Sequence, residues 1–183
     1  MKYIDTSIPD VKIIEPQVFG DDRGFFMESF RLDEFKQHCS DRLFVQDNHS
    51  KSQNGILRGL HYQVNNTQGK LVRVTAGTVF DVAVDMRKRS PTYGQHVGLI
   101  LSSENKRQLW VPEGFAHGFF VISDTAEFVY KCTDYYAPEH EVTLQWDDPQ
   151  LAIKWPIINN SKPNLSRKDE LGLSFEKAPA FEW

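Results

Sequence analysis

The stretch VFDVAVDM, residues 79–86, carries the pattern that decides the fold class. Large apolar side chains stand at every second position, so that Phe80, Val82, Val84 and Met86 alternate with Asp81, Ala83 and Asp85. A period of two residues is typical of a β-strand with one strongly apolar face. The stretch therefore predicts a strand at the centre of a β-rich fold.

Similar short segments lie on both sides of this strand. They are KLVRVT (70–75), HVGLIL (96–101), RQLWVP (107–112), GFFVIS (118–123), EFVYKC (127–132) and EVTLQW (141–146). Clusters of Gly, Pro, Asn, Asp or Ser separate many of them, as turns require. Many short strands at this spacing predict an all-β chain folded as an antiparallel sandwich or barrel.

Two short helices are predicted outside the strands. RLDEFKQHC (31–39) has apolar residues at near-helical spacing, and LSRKDELGL (165–173) begins with Ser166 as a candidate N-cap. Asp169 follows three residues later, which resembles a capping box. The C-terminal region is thus expected to be an irregular, partly helical cover on a β core.

Composition narrows the class of protein. The chain has 183 residues, 40% of them hydrophobic and 25% charged, with 13 phenylalanines and a net charge of −4. This length fits one domain with a substantial core. An acidic balance argues against a nonspecific nucleic-acid binder. An anionic ligand would need a local cluster of cations.

The cysteines and the termini bear on the compartment. Cys39 and Cys132 are isolated in the sequence, without the spacing of a zinc site. The N-terminus lacks the apolar run of a signal peptide, and no apolar stretch approaches the ~20 residues of a membrane span. We therefore expect a cytoplasmic protein without a membrane partner.

Strand alternation places several polar side chains inside the predicted barrel. Lys70 shares a face with Val72 and Val74, His117 with Phe115 and Phe119, and Tyr130 with Phe128 and Cys132. Buried polar groups are costly unless they are paired. A lined pocket is therefore a reasonable alternative to a sealed core.

The segment RGLHYQ, residues 58–63, adds His61 to this set. Each polar residue also has a structural interpretation: His61 and His117 as hydrogen-bonded strand histidines, Lys70 as a snorkelling lysine, Tyr130 as a core residue and Asp169 as a helix cap. Spacing alone favours the structural interpretation for each. Neither His61 nor His117 forms an HxH pair, which argues against metal-dependent chemistry. The chain also lacks a phosphate-binding glycine loop, GxSxG and a dinucleotide fingerprint.

Taken in order, the motifs are far more specific than any one of them. The segments FGDDRGFFMESF, FVQDNHSKSQNGILRGLHYQ, QGKLVRVTAGTVFDVAVDMRKRSPTYG, WVPEGFAHGFFV, YKCTDYYAPEHE, DPQLAIKWP and LSRKDELG follow one another along the chain. This order closely resembles the dTDP-4-dehydrorhamnose 3,5-epimerase family, from about Gly20 to Leu171. The resemblance implies a single domain over residues 1–183, a cupin-like jelly-roll β-barrel with short peripheral helices, N-terminal dimerising strands and a C-terminal helical cover.

The resemblance also implies the chemistry. The substrate would be a dTDP-sugar with a ketone at C4, inverted at C3 and C5 by a homodimer that uses no cofactor and no metal. His61 would be the base, Asp169 would hold its other ring nitrogen, Lys70 would stabilise the C4 oxyanion and Tyr130 would return a proton from the opposite face.

Binding residues follow from the same matching. Tyr136 resembles the residue that stacks on thymine, and Arg23, Glu28, Gln46, Asp47, Asn48, Arg58, Lys70, His117, Glu141 and Lys168 resemble residues that hold the nucleotide sugar. Three alternatives stay open: an enzyme that inverts one carbon only or acts on another 4-keto sugar, a non-catalytic sugar-nucleotide-binding barrel, and a metal-dependent cupin enzyme.

Overall fold

The computed structural model describes residues 1–157 and 161–183. Over these residues the strands are β1 Lys2–Asp5, β2 Lys12–Glu15, β3 Val18–Asp21, β4 Gly24–Met27, β5 Gln46–Gln53, β6 Leu57–Gln63, β7 Lys70–Ala76, β8 Thr78–Asp85, β9 His96–Ser102, β10 Gln108–Val111, β11 Phe115–Val121, β12 Thr125–Cys132 and β13 Glu141–Thr143. The helices are α1 Leu32–His38 and α2 Arg167–Glu170, with a 3₁₀ turn at Pro138–His140. Within the described ranges, no helix is long and apolar enough to cross a lipid bilayer.

The strands form two antiparallel sheets that face each other. One sheet has the order β1-β2-β10-β7-β12-β5 and the other β13-β6-β11-β8-β9, while β3 and β4 form a separate hairpin. Val72, Val74, Ala83, Phe115 and Phe128 are buried between the sheets. The chain is a cupin-like jelly-roll β-barrel, which confirms the expected fold.

The strand β8, which contains most of VFDVAVDM, is buried on both faces. Val79 and Ala83 point into the barrel, whereas Val82 and Val84 pack on its outside against a C-terminal segment that includes Phe181. The more apolar face therefore lies under the C-terminal cover. The face that carries the acidic residues lines the interior, where Asp81 contacts His117, a residue of the pocket described below.

Both predicted helices are present. Helix α1 matches the segment 31–39 and places Phe35 edge-on against Trp110, with ring centroids 5.0 Å apart. Helix α2 is shorter than the segment 165–173, and Ser166 is its N-cap because the Ser166 side chain accepts from the backbone N–H of Asp169. The side chain of Asp169 is thereby left pointing towards β6.

A close approach of two strands requires glycine in RGLHYQ. Gly59 has φ of +114°, and a Cβ atom there would lie 2.6 Å from the Cα of Gly118 on β11. Any larger residue would push β6 away from β11. The contact matters for the pocket because His61 and His117 are direct cross-strand partners in this pair of strands.

The turn after β8 is built around a buried carboxylate. Asp85 is fully buried and accepts hydrogen bonds from the Arg87 guanidinium at 2.7 and 2.9 Å. The hydroxyls of Ser90 and Thr92 also donate to it, at 2.6 and 2.7 Å. These bonds satisfy a charge that would otherwise be costly to bury.

Candidate active site

A cavity of about 710 Å³ opens between the two sheets. Its walls come from β5, β6, β7, β11 and β12 and from the loop and helix around α2. The cavity brings together most of the residues that the resemblance marked. They are Gln46, Asn48, Arg58, His61, Lys70, His117, Tyr130, Tyr136, Glu141, Lys168 and Asp169.

Three of the marked residues lie away from this cavity. Arg23 sits at the tip of the β3–β4 hairpin, where its side chain is 89% exposed and bonds to Asp21. Glu28 is exposed just after that hairpin. Asp47 pairs with Lys131 at 3.0 Å on the outer face of the sheet, because alternation along β5 turns it away from its neighbours on either side.

His61 is held by a carboxylate that comes from the far end of the chain. Its Nε2 lies 2.5 Å from Oδ1 of Asp169, and the second oxygen of Asp169 accepts from the Ser166 hydroxyl at 2.7 Å. Burial by itself would raise the pKa of Asp169, but the hydrogen bonds from His61 and Ser166 outweigh it and lower that pKa. Asp169 is therefore ionised and accepts from Nε2–H, which leaves Nδ1 as the basic nitrogen.

The Nδ1 side of the imidazole faces a second carboxylate. Nδ1 lies 4.0 Å from Oε1 of Glu141, whose backbone pairs with Gln63 where β13 meets β6. The other oxygen of Glu141 accepts from Lys168 at 2.7 Å and from the hydroxyl of Tyr136 at 3.0 Å. His61 thus stands between Asp169 and Glu141.

Lys70 brings a cation into the cavity wall. It begins β7 on the same face as Val72 and Val74, which are buried in the barrel. Desolvation lowers the pKa of Lys70, opposed by the nearby Cys132, Glu141 and Asp81. A poorly hydrated ammonium interacts strongly with any negative charge that forms beside it.

Tyr130 lines the same cavity from β12. Burial, and then the neighbouring Cys132 and Glu141, raise its pKa to about 12. The phenol is therefore protonated at neutral pH and is able to donate. Its ring packs at a tilt against Phe128, with centroids 6.0 Å apart.

A second histidine–carboxylate pair was not identified from the sequence. Nε2 of His117 lies 2.9 and 3.0 Å from the two oxygens of Asp81, and both side chains are buried. Asp81 shares the barrel-facing side of β8 with Ala83. The only signal in the sequence was Asp81 itself, an acidic residue in the middle of an otherwise apolar strand, which needs a partner if it is buried.

An aromatic side chain and two positively charged side chains line the mouth of the cavity. Tyr136 is 51% exposed and is fixed by a hydrogen bond from its backbone N–H to the side chain of Gln46. Arg58 bonds to Ser52 through Nε at 3.0 Å, and Lys168 is tied to Glu141. A flat ring beside positive charges suits a ligand with a planar base and an anionic group.

This fold and this cavity define a class of protein, a β-barrel enzyme that moves protons on a small molecule. The model of the dTDP-4-dehydrorhamnose 3,5-epimerase family matches residues 5–177. The chain belongs to that family and is therefore an isomerase.

Known relatives agree with this assignment. A dTDP-4-dehydrorhamnose 3,5-epimerase of Pseudomonas aeruginosa is 58% identical over 182 residues, which cover 99% of each chain. One of Neisseria gonorrhoeae is 60% identical over 178 residues, which cover 97% of this chain, and this chain spans about half (54%) of that relative's length. The crystal structure of dTDP-6-deoxy-D-glucose-3,5-epimerase from Legionella pneumophila in complex with dTDP-4-keto-L-rhamnose is 53% identical with a TM-score of 0.96, covering 100% of this chain and 98% of that one.

Proposed function

We propose that this protein converts dTDP-4-dehydro-6-deoxy-D-glucose to dTDP-4-dehydro-L-rhamnose by inverting C3 and C5. The observation that carries the proposal is the bond between His61 and Asp169 inside a cavity that also holds Lys70 and Tyr130. The hydrogens at C3 and C5 both lie next to the C4 ketone, so a base removes each of them if the enolate is stabilised. Neither step needs a redox cofactor.

His61 acts as the base in this proposal. Asp169 holds Nε2–H at 2.5 Å, which orients the ring and stabilises the imidazolium that forms when Nδ1 takes a proton. Because Ser166 caps α2 and also donates to Asp169, the carboxylate is fixed from two sides. The carboxylate of Asp169 therefore bonds both to the N-cap residue of α2 and to the catalytic base.

Lys70 stabilises the negative charge that develops on the C4 oxygen. The charge moves from the C–H bond to that oxygen as the proton leaves, so a cation placed there acts mainly on the transition state. Lys70 is partly buried at the start of β7, and desolvation lowers its pKa, so its charge is less screened by water than a surface charge. This is the electrostatic part of catalysis.

Tyr130 returns the proton from the face of the sugar opposite His61. Inversion needs a donor on the side away from the base, because reprotonation from the original side restores the substrate. A phenol with a pKa of about 12 stays protonated until the enolate draws on it. His61 and Tyr130 stand on strands of the two opposed sheets, which supports this arrangement.

The nucleotide part is held at the mouth of the cavity. Tyr136 stacks on the thymine. The diphosphate binds to the positively charged side chains at the mouth of the cavity, although the protein as a whole is acidic. Lys70, His117, Gln46, Asn48 and Glu141 complete the polar wall around the sugar. Arg58 and Lys168 supply the positive charge from this chain. Asp47 would contribute only from outside the cavity, since it faces Lys131 on the outer side of the sheet.

A homodimer would supply the residues that lie away from the cavity. The β3–β4 hairpin exposes apolar rings, with Phe19, Phe25 and Phe26 at 56, 60 and 70% exposure. Such a patch favours a protein interface. In a twofold dimer the hairpin extends to the partner, and Arg23 and Glu28 complete the partner's site.

The wider setting follows from the product. An L-rhamnose precursor feeds dTDP-L-rhamnose synthesis and, through it, lipopolysaccharide or cell-wall polysaccharide. Two unpaired cysteines, Cys39 and Cys132, fit a cytoplasmic location. We further propose that residues 1–183 act as one domain, without cofactor or metal.

The test is incubation with dTDP-4-dehydro-6-deoxy-D-glucose in deuterated water, followed by NMR of the sugar. The wild-type protein is expected to invert both carbons and to incorporate deuterium at each. His61→Asn is expected to abolish incorporation at both, and a chelator is expected to leave the wild-type rate unchanged. Binding of the nucleotide sugar without any exchange would instead indicate a non-catalytic barrel, and inversion of one carbon a mono-epimerase.

A further inference from the structure

When one base and one acid carry out two successive inversions, both groups have the wrong protonation state after the first. After the first inversion His61 carries the proton taken from the sugar, and Tyr130 has lost the proton that it gave. The second inversion cannot begin until both are restored. The structure must therefore contain a path by which His61 loses a proton while the sugar is still bound.

The Nε2 side of His61 is occupied by the carboxylate of Asp169. Asp169 is only 3% exposed, and its two oxygens are occupied by His61 and by the Ser166 hydroxyl at 2.7 Å. The carboxylate is further covered by the backbone of Gly59, whose N–H lies 3.4 Å from Oδ1. The Nε2 proton is thus held in a hydrogen bond to an ionised carboxylate, and the proton that has to leave is the one that Nδ1 took from the sugar.

The Nδ1 side opens on Glu141. Oε1 of Glu141 lies 4.0 Å from Nδ1, while Oε2 accepts from Lys168 and Tyr136. The side chain of Glu141 is 12% exposed, but that of Lys168 is 49% exposed and Tyr136 is 51% exposed. Glu141 is thus the carboxylate that joins the base to groups in contact with solvent.

We propose that Glu141 is the proton relay that resets His61 between the two inversions. The proton on Nδ1 passes to Oε1 of Glu141, His61 becomes neutral again, and Glu141 releases the proton to water at the cavity mouth. Tyr130 regains a proton from water, so the net number of protons on the enzyme is unchanged. The inference rests on the function proposed above and assigns Glu141 a role beyond holding the substrate.

The distances and charges are compatible with a relay. At 4.0 Å the two groups are about 1 Å beyond hydrogen-bonding range, which a small side-chain movement or one water molecule closes. Burial would raise the pKa of Glu141, but the bond from Lys168 and the charge of His61 outweigh it and lower that pKa. The carboxylate is therefore ionised when Nδ1 carries the proton, and it does not retain the proton that it takes.

The test compares the two inversions in Glu141→Gln and Glu141→Ala. We expect the second inversion to slow by about 10²-fold, the lower end of the range for general acid–base catalysis, so that singly inverted sugar is released. Added imidazole buffer is expected to restore the doubly inverted product in proportion to its free-base concentration, because it accepts the proton in place of Glu141. The readouts are NMR of the released sugars and titration of dTDP binding.

Arg58→Ala is the matched control, since Arg58 lines the same cavity and bonds to Ser52 rather than to Glu141. Arg58→Ala weakens binding of the singly inverted sugar but leaves Glu141 in place. The ratio of singly to doubly inverted sugar that it releases should therefore not respond to imidazole. The inference is overturned if the Glu141 variants match Arg58→Ala in product ratio or show no response to imidazole. Failure of the proposed function looks different, because the wild-type protein would then give no inverted sugar in the same assay.

Discussion

Nε2 of His61 lies 2.5 Å from Oδ1 of Asp169, although 108 positions separate the two residues in the chain. The pairing depends on two local features in distant parts of the sequence. Gly59 allows β6 to approach β11 closely, and Ser166 caps α2 so that Asp169 points back at the strand. The base is therefore assembled by the packing of the C-terminal cover on the barrel.

Replacement of Asp169 by asparagine tests this assembly. Asp169→Asn keeps the size of the side chain but removes the charge that stabilises the imidazolium and fixes the tautomer of His61. We expect kcat to fall by about 10²–10⁴-fold with dTDP binding retained, and less completely than in His61→Asn. Glu170→Gln on the same helix is the control, because Glu170 bonds to Lys162 at the surface. Equal activity of the two variants would remove Asp169 from the mechanism.

Lys70 is expected to set the alkaline limit of activity. Lys70→Met should lower kcat by about 10²–10³-fold with little change in KM, since the ammonium acts on charge that exists only in the transition state. Activity needs the protonated amine, so it is lost as the pH rises through the pKa of Lys70. Because burial lowers that pKa, the alkaline limb should lie below the ~10.4 of a free lysine. A pH profile of kcat that is the same in wild type and in Lys70→Arg, whose guanidinium stays charged, would contradict this.

The dimer proposal predicts that two inactive variants complement each other. Arg23→Ala lacks a residue of the partner's site, and His61→Asn lacks its own base. In co-expressed mixtures, random pairing gives half heterodimers with one intact site each, and so about a quarter of wild-type activity. Light scattering should give the mass of a dimer. No recovery in a mixture of confirmed dimers would show that Arg23 does not act across the interface.

Asp85 is expected to make stability depend on pH. Burial would raise its pKa, but the bonds from Arg87, Ser90 and Thr92 lower it, so Asp85 stabilises the fold above the unfolded pKa of ~3.9 and loses this effect as the pH falls through the folded pKa. Asp85→Asn should lower the free energy of unfolding by about 3–5 kcal/mol at neutral pH, and by less in acid. Asp10→Asn removes an exposed partner of Arg87 and should change it by about 1 kcal/mol or less. Denaturant titration at several pH values measures both, and a deficit that does not shrink in acid would contradict the account.

The sequence predicted the elements with clear periodicity. The strands around VFDVAVDM, helix α1 and the Ser166 cap are confirmed, because alternation and capping are local properties of the chain. Strand β5, QDNHSKSQ, was not among the predicted strands because it has no apolar alternation. Its inward face carries Gln46, Asn48 and Ser50 to the cavity, where polar groups replace core residues.

The alternation of residues along each strand did not predict how the strands pack against one another. Strand parity pointed to Lys70, His117 and Tyr130, and the structure places all three at one cavity. The pattern did not show that the apolar face of β8 packs under the C-terminal segment, so Asp81 was not recognised as the partner of His117. The C-terminal segment that covers one face of β8 decides which face points into the barrel. This segment has no regular periodicity, so its packing could not be predicted from the sequence.

The central claim is that His61 and Tyr130 act on opposite faces of the sugar, and Tyr130→Phe in deuterated water tests it most directly. The variant keeps the ring packed on Phe128 and removes only the hydroxyl. NMR of the sugar should show inversion reduced by about 10²–10⁴-fold, while substrate recovered from the reaction still gains deuterium by reprotonation from the side of His61. Equal loss of exchange and inversion at both carbons, or inversion at the wild-type rate, would contradict the account.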